Sequence, residues 1–126
     1  MSLTAFAIDF TDNHHLLFIF SSHCPHCHNQ GPVLKAFAEE SHFQVEAYSL
    51  DDKGILDFPD AQTPPDDLLI TAYANQSVRT PAIFVVNSQT LALYPVAIGE
   101  MGLEELRERI RALSVEVITF ENGIQQ

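Results

Sequence analysis

"SSHCPHCHNQGP", residues 21–32, holds both cysteines of the chain and three of its six histidines. "LLFIFSS" (Leu16 to Ser22) runs directly into it. That continuous apolar run, ending in small polar residues, suits a strand buried on both faces of a sheet. From Pro25 to about Ser41 the pattern turns helical: Leu34, Phe37 and Ala38 share one stripe, and Glu39 and Glu40 lie outside it. The cysteines therefore stand at a strand-to-helix junction. Pro25 suits the first helical position, where a missing N–H removes no bond. Cys24 then sits at or beside the N-cap, facing unpaired backbone N–H groups that stabilise a thiolate together with the helix dipole. Cys27 follows one turn later on the same side, placed to attack a mixed disulfide formed at Cys24.

Other chemistries fit the same letters. "CPHCH" matches the C-x-x-C-H pattern of haem attachment, for which Met101 would be the available distal ligand besides Met1. His23, Cys24, Cys27 and His28 have ligand types suited to zinc, although a closed site normally draws its ligand pairs from two separate segments and no second cluster follows. A pair of inert cysteines is the plainest reading. Two prolines favour redox chemistry. Pro32, inside the helix pattern, should bend the helix or mark its early end at Gly31. Thr80-Pro81 directly precedes an apolar strand, where either a cis peptide presenting backbone to a substrate or an ordinary trans proline would fit.

Outward from this centre the chain alternates strands and helices. "LTAFAIDF" reads as a first strand and "FQVEAYSL" (Phe43 to Leu50) as another. Residues 51–65, rich in Asp, Pro and Gly, read as an acidic surface insertion. A helix then starts in "TPPDDLLITAYA": Thr63 can cap it, Asp66 and Asp67 suit its positive end, and Leu69, Ala72 and Tyr73 form its buried stripe. "AIFVVN" (Ala82 to Asn87) is a second buried strand. In "LALYPVAI", Pro95 cannot donate to a ladder, so that strand belongs at an edge. Leu103, Leu106, Ile110 and Leu113 define a last amphipathic helix, and the tail from residue 114 either adds a strand or trails. The order (β)βαβαββα gives an α/β fold: one domain over residues 1–126, a mixed sheet with helices on both faces.

At 126 residues, 46% hydrophobic, the chain fits one domain with a single core. Its net charge of -11 makes nucleic acid and anionic lipid poor partners. No apolar run approaches the roughly 20 residues that span a bilayer. "MSLTAFAIDF" lacks a basic region and is broken by Asp9, so it does not read as a secretory leader. The expectation is either a cytosolic protein or one whose leader has been removed.

The C-x-x-C after a strand, the helix proline and the Thr-Pro before the next strand resemble the thioredoxin superfamily. "HCPHCHNQGPVLKAFAEESHFQVEAYSLD", "FPDAQTPPDDLL" and "TPAIFVVNSQTLALYPVAIG" resemble, more narrowly, the TrbB-type thiol–disulfide isomerases of type-F conjugative transfer systems, periplasmic relatives of the DsbC catalytic domain. The similarity runs from about Leu16 to Leu113. It implies a thioredoxin fold and a disulfide isomerase or oxidase. Cys24 would be the nucleophile and Cys27 the resolving cysteine. Pro25 and His26 lie between them, and Thr80 with cis-Pro81 binds substrate. It implies no cofactor, cysteine-containing exported proteins as substrates, a redox partner protein and a periplasmic address; the reading expects a monomer. Two departures stand out. Phe18 occupies the position of thioredoxin's buried acid, leaving water or a carboxylate such as Glu46 to take the Cys27 proton. Pro-His between the cysteines is the dipeptide of the oxidase DsbA. A metal- or haem-binding module and a redox-inactive docking domain are the competing functions.

Overall fold

The structure, a computed structural model, describes residues 10–124. Its strands are β1 (His14–Phe20), β2 (Val45–Ser49), β3 (Ala82–Asn87) and β4 (Leu93–Ile98). Its helices are α1 (Pro25–Ser41), α2 (Asp66–Tyr73) and α3 (Leu103–Ile124). They form a four-stranded sheet of order β2-β1-β3-β4. β1 pairs parallel with β2 and antiparallel with β3, and β3 pairs antiparallel with β4. The apolar runs of β1 and β3 are the two central strands, as a sheet covered on both faces requires. Pro95 lies on the edge strand, beside a register shift at Ile83/Phe84.

Alternation along β1 divides the core in two. Leu16, Phe18 and Phe20 pack with Ile83 and Val85 beneath α1 and α3, against Leu34, Phe37, Leu106, Ile110, Leu113 and Val117. Leu17 and Ile19 face the other way with Ala82, Phe84 and Val86, covered by Tyr73, Leu68 and Leu69.

Several details depart from expectation. The expected first strand lies outside the described residues except for its end, Phe10, and residues 10–13 are helical. α1 does not end at Gly31 but continues through Pro32 to Ser41. Thr63 caps nothing: its hydroxyl donates to Asp52, and Pro65 stands at the N-cap of α2 without a side-chain bond. Within α2 only Tyr73 is fully buried. The tail is neither a strand nor loose, because α3 runs on through residue 114 to Ile124, burying Ser114 and Val117. The acidic insertion is not wholly superficial either. Gln62 bridges to β2, and Ile55, only 4% exposed, enters the core.

Candidate active site: a cysteine pair at a helix N-terminus

β1 delivers the chain to the start of α1 through a short turn pinned on two sides. Asp51 accepts the Ser22 N–H at 3.1 Å and the Ser22 and Ser49 hydroxyls, and His28 Nε2 meets the Ser22 carbonyl at 2.7 Å. The Ser22 hydroxyl, then that of Ser49, holds the Asp51 carboxyl well below the usual range, outweighing the opposing effect of its burial. Cys24 is the N-cap, with extended backbone (φ -94°, ψ 109°), and Pro25 follows as the first helical residue. The Cys24 sulfur accepts the Cys27 N–H at 3.2 Å, so it faces the open donors of the helix. Cys24 and Cys27 form a disulfide with Cα atoms 5.2 Å apart. Cys24 is half-buried, whereas Cys27 is 0% exposed within the core on the α1 face.

Thr80-Pro81 is a cis peptide. The Thr80 carbonyl oxygen lies 3.7 Å from the Cys24 sulfur, which brings together two segments 56 residues apart in the chain. Pro81 is buried and Thr80 half-buried. The Pro81 carbonyl accepts the Gly99 N–H at 2.7 Å, linking this turn to the connection between β4 and α3.

The histidines disperse. His23 Nε2 stands 3.5 Å from Asp51, His26 Nδ1 stands 2.8 Å from Glu100, and His28 turns to Ser22. Met101 binds Gln30 through its backbone N–H and carbonyl. Among the described residues no group of three or more His, Cys, Asp or Glu is placed to share a metal ion. Glu46 does not reach the Cys27 side of the sheet. It pairs in register with Leu17, on the opposite face, and binds Tyr48 and His15. The Tyr48 phenol is pushed up to about 12 by burial and by that carboxylate.

Three site residues escaped the sequence reading. Gln30 had a signal, a polar residue four positions before Leu34 on the apolar stripe of α1. Asp51 and Glu100 had none, because turns bring them in from distant segments. A groove of about 610 Å³ at the outer edge of β2, lined in part by Glu46, Phe58 and Gln62, includes neither cysteine. Of the pair only Cys24 reaches the surface, half-buried beside the exposed Pro25 and His26, while Cys27 lies behind it in the core.

A β2-β1-β3-β4 mixed sheet, with a C-x-x-C disulfide at a helix N-cap against a cis-proline, is the thioredoxin fold. Solved structures agree at this level. Thioredoxin from Aeropyrum pernix superposes with a TM-score of 0.56 at 16% identity, covering 90% of this chain and 84% of that one. StoA from Bacillus subtilis gives 0.53 at 19% identity, covering 78% and 82%. A DsbF homologue from Corynebacterium diphtheriae gives 0.56 at 16% identity, covering 83% and 74%. The family model described as "TraF: F plasmid transfer operon protein" matches residues 7–111, and the chain belongs to that family. It is also 39% identical over 84 residues to Protein TrbB of Escherichia coli (strain K12), covering 67% of this chain and 46% of that protein. The chain thus spans about half the length of that curated relative.

Proposed function

We propose that the chain is a thiol–disulfide oxidoreductase, with residues 1–126 as one redox domain. The observation that carries this reading is the unequal pair: a half-buried Cys24 whose sulfur sits at the helix N-terminus beside the Thr80 carbonyl, and a fully buried Cys27 behind it. In the dithiol state the Cys24 thiolate attacks a substrate disulfide, forming a mixed disulfide and releasing one substrate thiolate. Cys27, deprotonated, then attacks the Cys24 sulfur, closing the Cys24–Cys27 bond and releasing the second substrate thiolate. The reverse sequence inserts a disulfide, and reduction followed by re-oxidation isomerises one. Pro25 sets the helix start, His26 flanks the nucleophile, and Thr80 with Pro81 offers backbone to an extended substrate segment.

Membership of a family of F plasmid transfer operon proteins, and similarity to TrbB, support cysteine-containing exported proteins of a conjugative transfer apparatus as substrates. They also favour a periplasmic address, and we take the pair to be reset by a redox partner protein. The charge of -11 supports proteins rather than nucleic acid as partners. No helix among the described residues is long and apolar enough to cross a membrane, and we take the working unit to be a monomer.

The test is insulin reduction by dithiothreitol, with single cysteine variants. Wild type should accelerate the reaction. Cys27→Ser should accumulate mixed disulfides resolvable by reductant, and Cys24→Ser should accumulate none. Faster alkylation of Cys27 than of Cys24 at neutral pH, or an inert wild type, would count against the reading and favour a docking domain.

A further inference from the structure

The dipeptide between the cysteines contributes one group able to favour a Cys24 thiolate, the imidazole of His26. Its ring does not stand free. Nδ1 lies 2.8 Å from Glu100 Oε1, and the Asn29 side-chain amide donates to the same oxygen at 3.3 Å. These two donors, His26 first, hold the Glu100 carboxyl below its ordinary range. The connection that carries Glu100, residues 99–102, is anchored on both sides of it. Gly99 donates to the Pro81 carbonyl, and the fully buried Gln30 brackets Met101, donating to its carbonyl at 3.0 Å and accepting its N–H at 2.7 Å. A carboxylate is therefore fixed over the first turns of α1, beside the region that must stabilise the sulfur anion.

We propose that Glu100 is a positioning residue that sets the redox poise of the Cys24–Cys27 pair. It holds the His26 ring on its own carboxylate and keeps a negative charge at the N-terminus of α1, so the pair is less oxidising than Pro-His alone would make it. This rests on the oxidoreductase reading above. Two effects act in the same direction. The positive end of a helix favours a nearby anion, and Glu100 competes with the Cys24 thiolate for that field. An imidazole N–H engaged by a carboxylate is also withheld from the sulfur. On the outer flank, the His23 ring is drawn in the same way to Asp51.

The equilibrium that reads this is exchange with glutathione. Two glutathione thiols are oxidised to one glutathione disulfide while the Cys24–Cys27 bond is reduced. Of the two protons released, one stays on Cys27, and the other passes to solvent when Cys24 remains a thiolate. A less stable thiolate therefore disfavours the dithiol state.

The experiment titrates wild type, Glu100→Gln, His26→Phe and the double variant against glutathione at pH 7, and follows Cys24 ionisation by thiolate absorbance. His26 and Glu100 have side chains 71% and 39% exposed, so these variants should keep the fold, checked by the melting of the oxidised forms. Glu100→Gln should shift the exchange constant about tenfold toward dithiol, equivalent to about 30 mV, with a lower Cys24 pKa. In the His26→Phe background the same change should fall to about threefold, because the ring it positions is gone. A constant within about twofold of wild type for Glu100→Gln, or a full tenfold shift without His26, would overturn the inference. A wild type that does not exchange with glutathione at all would overturn the oxidoreductase reading and this inference together, a result distinct from equal constants.

Discussion

At the scale of single residues, Gln30 shows how a buried polar group can serve a surface site. It is 0% exposed, and both halves of its amide bind Met101, joining α1 to the connection that carries Glu100. Gln30→Leu fills the space but leaves the Met101 N–H and carbonyl without their partner, a cost of about 2 kcal/mol. For a domain of this size that lowers the melting midpoint by about 6–10 °C. The midpoint would be read by calorimetry; one within a degree of wild type would show that water replaces the amide there. The sequence exposed the candidate pair itself, because C-x-x-C at a strand-to-helix junction depends on neighbours in the chain. It did not expose the contacts that surround the pair. Glu100 reaches His26 across 74 residues, and Asp51 reaches Ser22 across 29, so local patterns contain no trace of either contact.

At the scale of elements, the same distinction separates strands from insertion. β1, β3 and α1 were legible because burial imprints continuous or periodic apolar runs on the sequence. Within residues 51–65 the inward residues, among them Ile55, Phe58 and the buried Pro64, stand isolated among Asp, Pro and Gly. Phe58 meets Phe18 edge-on with centroids 5.3 Å apart, and Ile55 presses on α1 at Gly31. A Cβ on Gly31 would stand 3.1 Å from Ile55 Cδ1, which accounts for a glycine in mid-helix. Gly54 is tighter still: a Cβ there would lie 2.4 Å from the Pro59 carbonyl oxygen, an immovable backbone atom. Ile55→Ala should cost about 3 kcal/mol through the cavity it leaves. Gly54→Ala should destabilise more than Gly31→Ala, whose clash is with a flexible side-chain tip. Denaturant midpoints of the three variants test the order. The C-terminal half of α3 was missed for another reason: "SVEVITF" has β-branched residues that fit a strand, and packing of Val117 overrides that propensity.

At the scale of the whole molecule, two charge effects oppose each other as pH falls. The chain carries 17 acidic side chains against six Lys and Arg, so protonating carboxylates relieves self-repulsion and favours the folded state. Against this stand carboxylates that the fold binds. Asp51 binds Ser22 in the turn before the cysteine pair and is 23% exposed. Glu121 on α3 is 19% exposed and receives Asn87, Tyr94 and His14 at 2.9, 2.7 and 3.0 Å. Burial pushes Glu121 up, but those three donors outweigh it and hold it below its ordinary value. Glu40 and Glu100 are also held low, by Arg107 and His26 chiefly, yet their side chains are about two-fifths exposed and more open to solvent screening. For a carboxyl depressed in the folded state, the stabilisation is complete above the unfolded pKa, about 3.9 for Asp and 4.3 for Glu. It is lost as pH falls from there through the folded value. Distant repulsion is screened over about 10 Å at 0.1 M salt, whereas these bonds act at contact, so the local loss should prevail. Melting midpoints in 0.1 M salt should therefore hold from pH 7 to about 5 and fall steeply below about 4. Asp51→Asn with Glu121→Gln should start lower at pH 7 and decline less, meeting the wild-type curve in acid. Curves that stay parallel from pH 7 to pH 3 would show that the two carboxylates are not the groups that titrate with unfolding.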